Sequence, residues 1–275
     1  MSRPTSPTGT THVSTTAEPG PMRIATTLRR ACVPVLLLVL WQVLASTDVI
    51  DERLYSSPER IADTFVELTR DGTLQDNVGV SLLRALAGLA LGAGLGLLVG
   101  LAAGLWRLAE ESVDLTIQIV RTVPVFALTG LFIVWFGIGE TPRIVLIASA
   151  CFFPMYLNVY SGVRGVDRKL LEMSDSMEVG SLTAMRHVLL PGALPSALVG
   201  LRFALAYSVL ALVIAETINS RNGIGYLLSS AQQYLQTDII FTCVLLYGVL
   251  GVVSDVIVRV LERVLLGWRS GVEAR

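Results

Sequence analysis

Five stretches of the chain, 80–106, 115–137, 143–162, 194–217 and 239–259, are apolar over a length suited to crossing a hydrocarbon core, which takes roughly 20 helical residues. A sixth and shorter run, ACVPVLLLVLWQVLAS, lies at 31–46 behind Arg29 and Arg30. Backbone groups in lipid must be paired within the segment, so long unbroken runs predict helices. The apolar–polar alternation of a lipid-facing barrel strand is absent. The 31–46 run also has the form of a secretory signal, with small residues after its apolar stretch. The spans that follow it favour a retained first helix, which makes six.

Two polar interruptions carry structure of their own. The stretch SSPERIADTFVELTRDG places Ser57 as a cap and proline at the first helical position, then Ile61, Phe65 and Leu68 at helical spacing. It predicts a short amphipathic helix on the outer face, either a contact for a delivery protein or a helix lying on the membrane surface. The second interruption, LLEMSDSMEVGSLTAMRHVLLPGALP at 170–195, sits between the fourth and fifth spans. Asp167 can cap RKLLEMSDSM, whose Leu170, Leu171, Met173 and Met177 gather largely on one side. Gly180 and Ser181 break and restart the helix, LTAMRHVLL leads to Pro191, and Pro195 is tolerated in the first turn of span five. The expected result is two short helices at an angle, too polar to span and too apolar to float free. Methionines there suit an adaptable docking surface; a helix resting on lipid headgroups fits the same residues.

Composition narrows the class. The 275 residues are 53% hydrophobic and 16% charged with mean hydropathy +0.65, whereas soluble domains carry about a quarter charged residues. A net charge of −1 offers no basic field for nucleic acid. Cys32, Cys151 and Cys243 lie in apolar runs, and His12 and His187 stand alone, so no metal site or Cys/His nucleophile can be assembled and no cofactor is expected. Residues 1–22 are rich in Pro, Thr, Ser and Gly and predict a disordered tail; 270–275 forms a second tail. With the N-terminus inside, thirteen basic residues fall on the cytoplasmic side, including Arg164, Arg168 and Lys169 of the 163–193 loop. Six fall outside: Arg53, Arg60, Arg70, Arg84, Arg143 and Arg221. That asymmetry places both termini and the 163–193 loop in the cytoplasm of a multi-pass plasma-membrane protein.

Within the spans, Gly88, Gly92, Gly96, Gly100 and Gly104 recur every four residues and form a smooth ridge for close helix packing. A contact that slides between two packings is the alternative to a static one. Arg121 and Pro124 in span three, Pro154 and Asn158 in span four, and Tyr207 in span five are candidates to line a solute pathway. Glu216 and Asp255 lie near opposite ends of spans five and six, which argues against a proton relay.

LYSSPERI, VPVFALTGLFIVWFGIGE, FFPMYLNVYSGVRGVD, ALPSALVGLRFALAYSVLALVIAE and NGIGYLLSSAQQYLQTD follow one another in order. Together with the 170–190 hairpin they resemble the permease subunits of ATP-binding-cassette importers, in the nitrate/sulfonate/taurine branch, over about residues 35–269. The family's loop reads Glu-Ala-Ala, three residues, Gly, then Leu-Pro. Here Glu172, Met173 and Ser174 take the first places and Leu190-Pro191 the last. Both alanines are replaced, and counting back from Pro191 puts Glu178 at the glycine position, with Gly180 two residues late.

The resemblance implies an all-α integral membrane fold of six helices, similar to type I importer permeases, over 23–269, with a coupling-helix hairpin between helices four and five. It implies a cytoplasmic ATP-binding subunit, an extracytoplasmic solute-binding protein, a second permease copy (a homodimer) and a small anion such as a sulfonate or nitrate as solute. Leu171, Met177 and Met185 would grip the ATPase, Glu172 and Arg186 would pin it, and Gly180, Leu190 and Pro191 would shape the hairpin. The chain has no Gly-rich Lys-Ser/Thr phosphate loop, so ATP binds in another chain and this subunit is not an enzyme. An ion-coupled carrier or a channel without an ATPase is the competing class.

Overall fold

The computed structural model describes residues 55–267 apart from 219, and 32, 33, 36, 37, 39–45 and 47 of the first apolar run. The tails at 1–22 and 270–275, Arg29, Arg30 and the side chain of Leu171 lie outside the described residues.

All described elements are helical: α1 (Pro58–Arg70), α2 (Thr73–Leu105), α3 (Arg107–Val120), α4 (Thr129–Phe136), α5 (Glu140–Arg164), α6 (Arg168–Ser176), α7 (Ser181–Ala184), α8 (Leu190–Thr217), α9 (Ile224–Gln233) and α10 (Thr237–Leu265). Four unbroken helical segments are long and apolar enough to cross a membrane: 73–105, 140–164, 181–217 and 237–265. A bent pair, 107–120 with 125–136, is long and apolar enough for a fifth only if its two parts count as one broken span. In the first run, residues 39–45 are helical; the Trp41 ring lies 5.4 Å from that of Phe241 at the start of α10.

The core is a three-helix slab, α2 on α5 on α8. α2 and α5 run parallel because the glycine ridge of α2 meets α5 residue by residue. A Cβ on Gly88, Gly96, Gly100 or Gly104 would lie 2.5–2.9 Å from Ile147, Phe152, Tyr156 or Val163, and one on Gly92 would fall onto the Ala148 carbonyl. Contact this close requires hydrogen in place of every one of those side chains. α8 packs antiparallel on the other side of α5, with Gly162 against Ser196, Gly200 against Asn158, and the Cys151 thiol donating to the Ala204 carbonyl at 3.3 Å.

The structure departs from the sequence expectations at two places. Span three is not one helix over 115–137: it starts at Arg107 and turns through 83° between α3 and the 3-10 turn Val125–Leu128 that leads into α4. Pro124 has no N–H to donate and biases Val123 away from helical geometry, so the break falls there. The second arm of the hairpin does not stop at Pro191. Residues 181–217 are continuous, through a π turn at Met185–Leu189 whose wide loop closes from the Leu190 N–H to the Met185 carbonyl. A widened turn next to Pro191 lets the helix pass a residue that would otherwise collide with the carbonyl four positions back. The amphipathic helix α1 forms where predicted, with Ser57 Oγ accepting the Arg60 N–H at 3.3 Å. It packs on α10, with Ile61 buried, Thr64 Oγ1 donating to Asp238 Oδ2 at 3.0 Å, and the Ser56 and Thr237 hydroxyls 2.9 Å apart.

Candidate functional site

At the Glu140 end, four charges from three helices converge. Arg84 of α2 is 2% exposed and Glu216 of α8 is fully buried. Arg84 Nε and Nη2 donate to the two Glu140 carboxylate oxygens at 2.5 and 2.6 Å, and Nη1 donates to Glu216 Oε1 at 2.7 Å. Arg84 also reaches the Asn222 carbonyl at 2.8 Å and its side-chain oxygen at 2.5 Å. Arg143 Nη1 donates to Glu140 Oε1 at 2.8 Å, so the cluster is electrically neutral.

Glu216 has further support. Ser81 Oγ lies 2.8 Å from both its oxygens, and the Gly225 N–H donates to Oε2 at 2.9 Å. The Gly223 and Ile224 N–H groups donate to Asn77 Oδ1 at 2.7 Å and Ser81 Oγ at 2.8 Å. The first N–H groups of α9, which no helix can satisfy internally, are thus capped by side chains of α2 and α8. The carboxylate at the positive end of α9 gains from its dipole as well. Along the sequence Arg84 and Arg143 count as free outer cations, whereas both are buried; nothing local reveals Arg84's partners, which lie more than fifty residues away.

Midway along the slab the structure brings together most of the residues expected to line a pathway. Arg121, Pro124, Pro154 and Tyr207 border one pocket of ≈ 370 Å³, with Phe126, Phe153 and Leu157 among its apolar walls. Asn158 is not in it: its amide donates to the Pro154 carbonyl at 2.8 Å, and it packs against Gly200.

At the hairpin end, Asp167 Oδ1 caps α6 by accepting the Lys169 N–H at 2.9 Å. Leu170, Met173, Met177 and Leu182 are 50–74% exposed, a row of large apolar side chains without cover among the described residues. Leu182 is the most exposed of them and is missing from the sequence-based candidates; its place just after the Gly180–Ser181 restart is the local signal that marks it. Glu172, Gly180 and Arg186 are exposed as well, while Met185 and Pro191 are half-buried.

Glu178 has φ +54°, and the Val179 N–H donates to the Ser174 carbonyl at 3.1 Å. That is a Schellman closure with Glu178 at the left-handed position, where glycine is the favoured residue. The count back from Pro191 and the backbone agree on the same position. Gly180 has φ −56°, which any residue adopts, so it does not make the turn. Ser174, at an alanine position of the family's loop, is 6% exposed and its hydroxyl has no partner among the described residues.

The model of binding-protein-dependent transport system inner membrane components matches residues 92–266. The chain belongs to that family. A protein of Bacillus subtilis named as the aliphatic sulfonates transport permease SsuC is 41% identical over 87% of this chain and 87% of its own. Its namesake in Escherichia coli is 42% identical over 86% and 89%, and the Escherichia coli taurine transport system permease TauC 31% over 86% and 88%. A chain of the methionine ABC transporter MetNI, solved inward-facing, shares the fold with TM-score 0.50 at 18% identity, covering 72% of this chain and 97% of that one. The protein is therefore the permease subunit of an ATP-driven, binding-protein-dependent importer in the inner membrane. ATP hydrolysis belongs to a separate subunit, and an ATP-binding subunit and a solute-binding protein are its partners.

Proposed function

We propose that this permease carries a small organosulfonate inward, working as one of two identical copies with both termini and the 168–189 hairpin in the cytoplasm. The solute class is supported by the names of the relatives that match over most of both chains. The orientation is supported by the basic residues: thirteen fall in the segments on the hairpin's side against six on the other, and two of those six, Arg84 and Arg143, are buried in ion pairs.

The observation that carries the coupling role is the exposed row Leu170, Met173, Met177 and Leu182 on a hairpin whose turn has the left-handed geometry of a motif glycine. A ligand moves a two-state protein only through its differential affinity for the two states. The ATPase must therefore hold this row throughout the cycle, with Glu172 and Arg186 as polar pins and Leu171 in the grip. Leu190 and Pro191 join the hairpin to α8, which transmits its movement into the membrane.

Purification of the tagged protein from its host in mild detergent, with mass spectrometry of what accompanies it, tests the grip. A stoichiometric ATP-binding subunit is expected with the wild type, and its loss with Met177→Asp or Leu182→Asp while the permease stays folded. Undiminished capture by both variants would move the grip elsewhere. Met185→Asp is the weaker probe, because Met185 is half-buried in the π turn.

A further inference from the structure

We infer that the mid-length pocket is an amphiphilic anion site, which holds the sulfonate on the Arg121 guanidinium and covers the hydrocarbon with Phe126, Phe153 and Leu157. It rests on the importer reading above and names how the solute would be recognised inside the permease.

Arg121 is exposed, and its guanidinium has no acidic partner among the described residues. By contrast Arg84, Arg143 and Arg202 each meet a carboxylate. The pocket wall it shares with Ala150, Phe153, Pro154 and Leu157 is the middle of α5. At a rise of 1.5 Å per residue that level is roughly 18 Å from either end of the helix, beyond the reach of a side chain toward headgroups. An arginine at that depth is strongly disfavoured against lipid, so its face turns to a watered cavity or to protein.

The rest of the lining fits one chemical class. Among the described residues no carboxylate borders the pocket, and Tyr207 supplies its other polar side chain. A guanidinium pairs in bidentate fashion with a planar or tetrahedral oxyanion edge. The ≈ 370 Å³ of space is far more than a bare oxyanion fills, and its remaining walls are aromatic and aliphatic. Each methylene those walls cover adds about fourfold in affinity. The pocket therefore favours alkanesulfonates over sulfate, and longer chains over short ones until the walls are covered. Pro124 sets the geometry: the break it imposes ends α3 at Arg121 and sends the chain across the pocket through Val125 and Phe126.

The test uses the permease bound to its ATP-binding subunit in lipid nanodiscs without the binding protein, so that the binding protein's own selectivity does not enter. Calorimetric titration with butanesulfonate, ethanesulfonate and sulfate is expected to give affinities in that falling order. Arg121→Gln should weaken both sulfonates at least tenfold, with Arg121→Lys recovering part. Phe153→Ala should narrow the gap between butane- and ethanesulfonate while sparing ethanesulfonate. Equal wild-type affinity for the three anions, no binding, or an Arg121→Gln variant that binds like the wild type would each overturn the site. ATP-driven uptake of the same sulfonates by the complete wild-type importer is measured alongside. Uptake without ordered binding sinks this inference alone, whereas no uptake of any sulfonate sinks the solute reading beneath it.

Discussion

The two ends of this membrane protein satisfy their chemistry in opposite ways. At the Glu140 end, Arg84, Arg143, Glu140 and Glu216 neutralise one another, and the N–H groups that open α9 are capped from α2 and α8. At the hairpin end, Leu170, Met173, Met177 and Leu182 stand exposed, and the buried Ser174 hydroxyl is unpaired. The first end needs nothing from outside the chain to be stable. The second presents apolar surface that no described residue of the chain covers. Under the coupling proposed above, this division would give a transporter driven from one side a fixed frame where helices are tied together and a handle where a partner pulls.

The contrast predicts a graded set of stability changes, measured as thermal denaturation in detergent. Arg84→Ala leaves the fully buried Glu216 without its cation and Glu140 with Arg143 alone, and should cost about 3–5 kcal/mol. Adding Glu216→Gln should restore part of that loss; if the single variant melts like the wild type, the Glu140 end is not the frame described here. Gly92→Ala drives a methyl onto the Ala148 carbonyl and should cost about 1–3 kcal/mol. Gly94→Ala faces open space and should gain about 0.5–1 kcal/mol by removing a flexible residue from a helix. Equal losses for the two would mean that the ridge is not the α2–α5 seam.

At the hairpin the expected changes are stabilising and smaller than the loss in Arg84→Ala. Glu178→Gly relieves a left-handed backbone that costs an L-residue about 1–2 kcal/mol. Ser174→Ala removes a buried unpaired hydroxyl worth about 1 kcal/mol or more. Both put back the residue types of the family's loop, and both should slow hydrogen exchange at the Val179 amide several-fold without moving the main melting transition. Faster exchange in Glu178→Gly would show that the Glu178 side chain, not the turn, holds the hairpin.

Much of the fold is legible in local sequence. The spans follow from apolar run length, the α1 cap from Ser57 and Pro58, and the Glu178 position from a count back from Pro191. The break in span three is marked by Pro124, but a proline alone does not say whether neighbouring helices will close the gap, so a bend and a break look the same along the chain. Helix α9 has no such local mark: its start is capped by Asn77, Ser81 and Glu216, all outside its own segment.

By itself, then, the sequence determined that the chain is apolar enough to cross a membrane repeatedly and breaks at 170–195 into a polar, capped hairpin, because run length, capping and turn chemistry are properties of neighbouring residues. Only the tertiary structure decided which charges are free and which are paired. Arg84 and Glu216 are 132 positions apart, and among the described residues no carboxylate pairs with Arg121. Pairing in a low-dielectric interior depends on where whole helices lie, and no window along the chain contains that information.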